Sequence, residues 1–259
     1  MIDFKEKENY TFDDLVEIVR ILRAPNGCMW DREQTHESIR RNFIEETYEV
    51  VEAIDTKNTE LLKEELGDVL LQVVFHACIE QENNVFDIND VADGVCKKLI
   101  YRHPHVFAKT DVNSTEEILT NWDALKQKEK NQKTVTDSLK SVARSLPSLI
   151  RAEKIQKKAA KAGFDWQNVN QAIDKVREEL DEIQNANEGT VNEEVGDMLF
   201  AAVNVARMLK VEPEQALEKA SDKFIVRFER VEKMEKNLAD LSFDELLSLW
   251  RQAKECKND

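Results

Sequence analysis

Apolar residues recur at helical spacing along most of this chain of 259 residues. Ile44, Tyr48 and Val51, for example, would lie on one side of a helix and leave its other side polar. Runs of β-branched and aromatic residues bounded by turn residues, which would predict strands, are hard to find. Only 6 Gly and 4 Pro are present to interrupt helices. The pattern therefore predicts an all-α protein.

Helix starts are marked where Ser, Thr or Asn is followed three residues later by an acid or an amide. The pairs are Thr11/Asp14, Ser114/Glu117, Asn168/Gln171, Thr190/Glu193 and Ser242/Glu245. A polar, lysine-rich stretch that ends before Pro147 is typical of a linker. We therefore predict an N-terminal helical domain at residues 1–126, a linker at 127–146 and a C-terminal helical domain at 147–259.

The acidic pattern of the first half returns about 130 residues later in the same order. EETYE at 45–49 matches EELDE at 178–182, and ELGD at 65–68 matches EVGD at 194–197. Two further pairs repeat, namely Lys98/Arg102 with Lys223/Arg227, and Trp122/Lys126 with Trp250/Lys254. The sequence therefore predicts a tandem duplication of one helical module.

The two acidic helices of each module differ in what surrounds their carboxylates. The helix with Glu46 and Glu49 has an apolar opposite side, so its acids alone could form a solvated surface. In the next helix, residues 66–79 are apolar around nearly the whole circumference, and Glu65 and Asp68 belong to a narrow polar stripe on it. Carboxylates on a buried helix are costly unless they are paired or bind a cation. We therefore expect the two helices to face each other and to share a metal ion.

Each module then offers four carboxylates to a metal. The candidate ligands are Glu46, Glu49, Glu65 and Asp68 in the first half, and Glu179, Glu182, Glu194 and Asp197 in the second. Oxygen ligands suit Mg²⁺, with Mn²⁺ as a substitute, and Mg²⁺ usually binds a few carboxylates together with substrate phosphates. A di-iron site would instead need Glu-x-x-His motifs, whereas this motif ends in Asp. The pattern favours Mg²⁺ and chemistry on a phosphate.

Basic and aromatic residues outside the acidic motifs could contact such a phosphate ligand. Lys223 and Arg227 share one helical face and could clamp phosphates, although a basic surface patch would show the same spacing. Lys98 and Arg102 allow the same two interpretations. Trp250 could stack on a base, although a tryptophan is more often part of a core.

The formal net charge of −15 limits the partners, because nucleic-acid backbone and anionic membrane surfaces would both be repelled. No signal peptide and no apolar run of membrane-spanning length is recognisable. Cys28, Cys78, Cys96 and Cys256 form no Cys-x-x-Cys pair and suit buried thiols in a reducing compartment. We therefore expect a cytoplasmic protein that binds neither nucleic acid nor membrane.

Three longer segments, beside the doubled acidic motif, resemble the MazG family of nucleoside triphosphate pyrophosphohydrolases. They are LRAPNGCMWDREQTHESI (22–39), YRHPHVF (101–107) and RSLPSLIRAEKIQKKAAKAGFDW (144–166). The resemblance implies two MazG-like modules with a four-helix fold that assembles as a homodimer and binds Mg²⁺. It also implies hydrolysis of nucleoside triphosphates of broad base specificity to monophosphate and pyrophosphate, in nucleotide-pool housecleaning or nucleotide-stress regulation.

The resemblance assigns the main catalytic site to the second half. The residues that match nucleotide-contacting positions of the family are Lys175, Glu178, Lys223, Arg227, Trp250 and Lys254. The residues that receive catalytic roles are Glu178, Glu179, Lys223 and Arg227. In the first half, Asn42 stands where the second half has Lys175, which argues against full activity of the first half.

We hypothesise that Mg²⁺ held by the carboxylates activates a water for in-line attack on the α-phosphorus, while the basic residues neutralise the departing pyrophosphate. Cleavage at the α rather than the γ position follows from the resemblance alone, and the identity of the general base is open. Three alternatives remain. The first is a narrower phosphohydrolase on the same bundle, such as one for dNTPs like dUTP or dCTP, or for a histidine-pathway nucleotide. The second is a helical scaffold whose acidic clusters are solvated surfaces, and the third is a regulator that binds nucleotides without turnover.

Overall fold

The structure is a computed structural model that describes residues 4–108, 114–129 and 132–255. All regular secondary structure in these ranges is helical, with thirteen α-helices and one 3₁₀ turn. The chain divides into two compact units, Met1–Leu125 and Lys126–Asp259. The predicted all-α fold of two tandem modules is confirmed. The domain limits and the dimer stay predictions.

A hairpin of two long helices dominates the first unit. The helices are α1 (Phe12–Arg23), α2 (Met29–Glu33), α3 (His36–Asp55), α4 (Thr59–Glu82), α5 (Ile88–Arg102), α6 (Pro104–Phe107) and α7 (Thr115–Glu129), of which α7 runs across the boundary between the units. Thr35 and Asn58 cap the starts of α3 and α4 with their side chains. α1 packs against α4, so that Val19, Val74 and Phe75 are buried together. The hairpin α3–α4 carries all four acids predicted for the first half.

The second unit repeats this arrangement. Its elements are α8 (Val135–Lys140), α9 (Ser148–Lys161), α10 (Val169–Asn185), α11 (Val191–Met208), α12 (Pro213–Met234), the 3₁₀ turn (Leu238–Asp240) and α13 (Phe243–Glu255). α10 and α11 form the hairpin, α9 packs against α11, and α12 packs against α13. The buried apolar residues of the hairpin are small, namely Ala172, Ala201 and Val203. The hairpin α10–α11 therefore corresponds to α3–α4.

Helices begin directly after the first residue of all five predicted pairs, which confirms these starts, and four of the five residues also cap the helix with their side chains. Confirmed side-chain caps, each accepting from the backbone N–H three residues later, are Thr11, Ser114, Asn168 and Ser242. The cap predicted at Thr190 is wrong, because its backbone is near-helical (φ −109°, ψ −22°) rather than extended. Its hydroxyl instead accepts a hydrogen bond from the Asn187 N–H at 3.3 Å.

The burial expected along the whole of the second helix in each module is found only in part. Leu66 and Leu70 on α4 are exposed, as are Val195, Leu199 and Phe200 on α11. Within the described chain, α4 packs against α3, α1 and α5, and α11 packs against α10, α9 and α12. These neighbours cover one side of each helix and leave an apolar strip near the acidic motif uncovered.

Part of the predicted linker forms a packed helix. α8 lies within residues 127–146 and contacts α9. Its Ser138 is buried and accepts a hydrogen bond from the Lys158 ammonium at 2.7 Å. This segment therefore contributes to the second unit.

The buried thiols expected from the sequence are found at one position of three. Cys78 lies in the first core, where burial raises the pKa of its thiol, and Cys28 is half-buried. The expectation is wrong for Cys96, which is exposed because it lies on the uncovered helix α5. Cys256 lies outside the described residues. Among the helices described, none has the length and apolar character needed to cross a membrane.

Candidate metal and nucleotide site

The hairpin α10–α11 brings together three of the four acids predicted as metal ligands in the second half. Glu179 and Glu182 are one turn apart on α10, and Glu194 lies in the first turns of α11. One carboxylate oxygen from each lies within 4.8 Å of the others, as the ligands of a single cation would. Asp197 lies one turn beyond Glu194, outside this trio, and lines an adjoining cavity.

One carboxylate of the acidic trio in the second unit is buried close to the other two. Glu179 is only 4% exposed, and its Oε2 is buried without a hydrogen-bond partner among the described residues. The pKa of Glu182 is raised, first by the close approach of the Glu179 carboxyl group and then by burial and the charges of Glu179 and Glu194. A divalent cation would satisfy the free oxygen and offset the repulsion, so the donor set fits a hard metal ion.

Lys175 compensates part of this charge. Its ammonium lies 2.7 Å from an oxygen of Glu178 and 2.7 Å from the Oε1 of Glu179. The two hydrogen bonds raise the pKa of Lys175, so it stays charged. The lysine therefore holds one oxygen of Glu179 and leaves the other available for a cation.

The first unit contains the matching trio without the lysine. Oxygens of Glu46, Glu49 and Glu65 lie within 4.8 Å of one another. The pKa of Glu65 is raised by burial first and then by Glu49, and the pKa of Glu46 by burial first and then by Asp68. Among the residues with described ion pairs, no Lys or Arg pairs with these three carboxylates. The first site therefore carries more uncompensated negative charge than the second.

The predicted basic and aromatic residues lie together on a separate helix pair. The Arg227 guanidinium of α12 lies 6.0 Å from the ring centre of Trp250 on α13. Lys223 and Lys254 lie on the same two helices and are exposed. In the first unit, the Arg102 guanidinium lies 5.4 Å from the ring of Trp122. No hydrogen bond or ion pair joins Lys223, Arg227 or Trp250 to the carboxylates within the described part of the second unit, whereas Lys175 pairs with Glu179.

A cavity of about 600 Å³ adjoins the second trio and was missed by the sequence analysis. Its walls combine aromatic, apolar and polar side chains from α8 to α11, with Leu139, Ile155, Gln156, Ala159, Gly163, Phe164, Asp165, Trp166, Lys175, Glu179, Asp197, Phe200, Ala201, Asn204 and Arg207. Asn204 and Arg207 interrupt the apolar run after the acidic motif, a signal that could have revealed them.

Comparison with known proteins shows which family the chain belongs to. The model of the MazG nucleotide pyrophosphohydrolase domain matches the chain twice, at residues 34–107 and 166–232. This chain belongs to the MazG family. Its members hydrolyse phosphoric anhydrides, so the protein is an enzyme of that class.

Several relatives match nearly the whole length of this MazG chain. A nucleoside triphosphate pyrophosphohydrolase/pyrophosphatase MazG of Thermotoga maritima is 44% identical over 248 residues, or 94% of this chain and 95% of the relative. A nucleoside triphosphate pyrophosphohydrolase of Escherichia coli K12 is 42% identical over 253 residues, or 93% and 96%. An uncharacterized Bacillus subtilis protein, YabN, is 46% identical over 255 residues, but the match spans 52% of its length.

The two MazG matches include both acidic trios and about half of the residues that line the cavity. Lys175, Lys223 and Arg227 also fall inside the second match. Trp250 and Lys254 lie beyond it, as do Trp122 and Lys126 beyond the first. Gln156 lies between the two matches. The family pattern therefore covers the carboxylates more fully than the residues that surround them.

Proposed function

We propose that this MazG protein hydrolyses nucleoside triphosphates to nucleoside monophosphate and pyrophosphate at the second unit, with Mg²⁺ or, as a substitute, Mn²⁺. The observation that carries the proposal is the trio of Glu179, Glu182 and Glu194, in which a buried oxygen lacks a partner beside a cavity of nucleotide size. The Thermotoga and Escherichia coli relatives, which are named nucleoside triphosphate pyrophosphohydrolases, support the substrate class.

Glu179, Glu182 and Glu194 would hold the cation, and we propose Asp197 as a fourth ligand. Bound Mg²⁺ supplies Lewis-acid stabilisation of phosphate oxygens and makes water a better nucleophile. Without such a cation, the phosphates would approach the carboxylates of Glu179 and Asp197 with Lys175 as the neighbouring positive charge of the cavity wall. The first-half set Glu46, Glu49, Glu65 and Asp68 is a proposed second site for the metal.

The side chains around the trio provide charge and proton transfer. The Lys175 ammonium holds Glu179 in place and, at the cavity wall, is near enough to the trio to balance phosphate charge. Glu178 is exposed next to it and is our candidate for the group that accepts a proton from the attacking water. Lys223 and Arg227 would neutralise the departing pyrophosphate, while Trp250 and Lys254 contact the nucleotide.

We propose that the protein acts as a homodimer. The exposed apolar residues Val195, Leu199 and Phe200 lie beside the acidic motif of α11, and Phe224 and Ile225 are exposed on α12. Exposed apolar strips of this kind mark protein interfaces. Their burial against a second copy would complete the bundle that the apolar pattern of α11 predicts.

Product analysis tests the reaction. The protein is incubated with Mg²⁺ and each of the common NTPs and dNTPs in ¹⁸O-labelled water, and the products are separated. We expect label in the monophosphate and unlabelled pyrophosphate from both sugar classes. Diphosphate with labelled orthophosphate would overturn cleavage at the α-phosphorus. Turnover of dNTPs alone would establish the narrower enzyme, and tight nucleotide binding with no products would establish a regulator.

A further inference from the structure

The cavity of the second unit has the size and the walls of a site for a flat aromatic ring. Its volume of about 600 Å³ falls in the range of pockets that take small molecules. Phe164, Trp166 and Phe200 provide ring faces or edges, and Glu179 and Asp197 join the cavity to the metal site. A molecule in this cavity could therefore place its phosphates at the carboxylates and its ring among the aromatics.

Gln156 offers an unused hydrogen-bond acceptor at this cavity. The side chain is only 5% exposed, and its Nε2 donates to the carbonyl oxygen of Phe200 at 2.8 Å. Its Oε1 is buried and has no hydrogen-bond partner among the described residues. A buried acceptor without a donor is unfavourable, and a ligand with an N–H group would satisfy it.

Asn204 offers a donor whose orientation is fixed by a chain of polar contacts. Its Oδ1 accepts hydrogen bonds from Arg207, at 3.1 Å from Nε and 2.7 Å from Nη2. Arg207 also donates from Nη1 to Asp165 at 3.1 Å, and this guanidinium holds the pKa of Asp165 below its usual range. With the oxygen of Asn204 turned to Arg207, its NH₂ group remains as the donor.

We infer that this cavity binds the nucleobase, with Gln156 accepting a hydrogen bond from the base and Asn204 donating one to it. The inference rests on the proposed function, because a base is expected here only if the phosphates bind at the trio. Every common nucleobase carries a donor beside an acceptor, and every base has a ring face for the aromatic walls. The cavity therefore takes purines and pyrimidines and separates nucleotides from base-free polyphosphates.

The first unit lacks the counterparts of Asn204 and of the arginine that orients it. Phe75 lies seven residues after Asp68, as Asn204 lies seven after Asp197, and Cys78 takes the place of Arg207. Phe75 and Cys78 are both buried in the first core, beside residues of α1. Apolar side chains therefore fill the corresponding positions of α4, and base binding is assigned to the second unit.

The test compares a ligand with a base and a ligand without one. Calorimetry in Mg²⁺ gives the Kd of an α,β-methylene nucleotide, which is not hydrolysed, and of inorganic tripolyphosphate. The variants of the full chain that test the cavity are Gln156→Leu, Asn204→Leu and the cavity-filling Ala159→Phe, and Trp250→Ala tests Trp250 as the other place for the base. Gln252→Leu is the matched control, since Gln252 is an exposed amide on α13. Thermal unfolding checks that each variant is folded.

We expect each single-residue polar variant to raise the Kd of the nucleotide by about tenfold, the factor for one lost hydrogen bond. Ala159→Phe should raise the Kd of the nucleotide at least as much. The Kd of tripolyphosphate should stay unchanged in these variants, and Gln252→Leu should change neither Kd. Equal weakening of both ligands, or unchanged nucleotide binding in all three variants, would overturn the inference. If Trp250→Ala alone raised the Kd of the nucleotide and left the Kd of tripolyphosphate unchanged, the base would lie at Trp250, and the inference would also be overturned. Since binding is measured without turnover, absence of pyrophosphate release would refute the proposed function and leave this result interpretable.

Discussion

The two units carry the same acidic trio in different surroundings. In the second unit, Lys175 pairs with Glu179, and a cavity opens beside the carboxylates. In the first unit, Asn42 stands at the lysine position and Phe75 is buried at the position of Asn204. The two units thus share the acidic pattern and differ in the residues next to it. The acidic trio, which could bind a cation, therefore occurs in both hairpins. Its presence does not imply the neighbouring residues that could bind a substrate.

The largest effect expected from this comparison is a difference between two equivalent glutamates. We expect Glu179→Gln to lower kcat/KM for pyrophosphate release by about 100-fold or more. The substitution removes a proposed ligand of the cation that stabilises negative charge on the phosphates in the transition state. Glu46→Gln should keep most of the activity, since the first unit has Asn42 at the lysine position and buried Phe75 at the position of Asn204. The measurement is pyrophosphate release with Mg²⁺ under saturating and limiting nucleotide.

Glu188→Gln is the control for the loss of one acidic charge, because Glu188 is exposed in the loop between α10 and α11. Full activity in Glu179→Gln would contradict the assignment of catalysis to the second unit. Equal losses in Glu179→Gln and Glu46→Gln would show that both units contribute to the reaction.

The trio could be predicted from the sequence because its members lie on two adjacent helices joined by a short loop. The spacing of Glu179 and Glu182 is fixed by one helical turn, and Glu194 follows at the start of the next helix. The helical fold and most caps follow from equally local patterns. The cavity depends on how α9 docks against α11, which brings Gln156 close to Phe200 across 44 residues of chain. Spacing along the chain contains no such information.

The exposure of Val195 and Leu199 shows a second limit of the sequence pattern. An apolar circumference predicts that a helix is buried, but it does not say whether the cover comes from the same chain. Thr190 shows a third, since the right residue at a helix start does not act as a cap when its backbone is near-helical.

A second, smaller effect should come from the lysine that distinguishes the units. Lys175→Met removes the ammonium that holds Glu179 and leaves that buried carboxylate without its ion pair. We expect kcat/KM to fall by about tenfold and the Mg²⁺ concentration at half-maximal rate to change, because metal and lysine share one carboxylate. Mg²⁺ titrations of the rate provide the measurement.

Lys219→Met is the matched control for Lys175→Met, since Lys219 is exposed on α12. An identical Mg²⁺ dependence and rate in Lys175→Met and the control would show that the lysine is only a surface residue. Restoration of the rate by Lys175→Arg would show that positive charge at this position is what matters.

The smallest effect concerns a histidine pair that only the first hairpin contains. His36 Nδ1 lies 2.7 Å from His76 Nδ1, and His36 Nε2 lies 2.6 Å from Glu80, whereas Val169 and Val205 stand at the corresponding positions of the second hairpin. Burial, and then the neighbouring His36, lower the pKa of His76 from 6.5. The folded state therefore binds fewer protons than the unfolded chain, so the stability contributed by neutral His76 is lost as the pH falls below about 6.5.

Replacing the histidine by the residue of the second hairpin should remove this pH dependence. We expect the midpoint of thermal unfolding of the full chain to fall less in His76→Val than in the wild type between about pH 8 and pH 5.5, by about 2 °C. The ring of Phe43, tilted against His76 at 5.8 Å, and the Glu80 carboxylate are the other neighbours involved. Glu80→Gln, which keeps both histidines, serves as the control for the charge that faces His36. A constant offset between His76→Val and the wild type at every pH would mean that His76 contributes packing alone, and that the hairpins differ here in shape rather than in protonation.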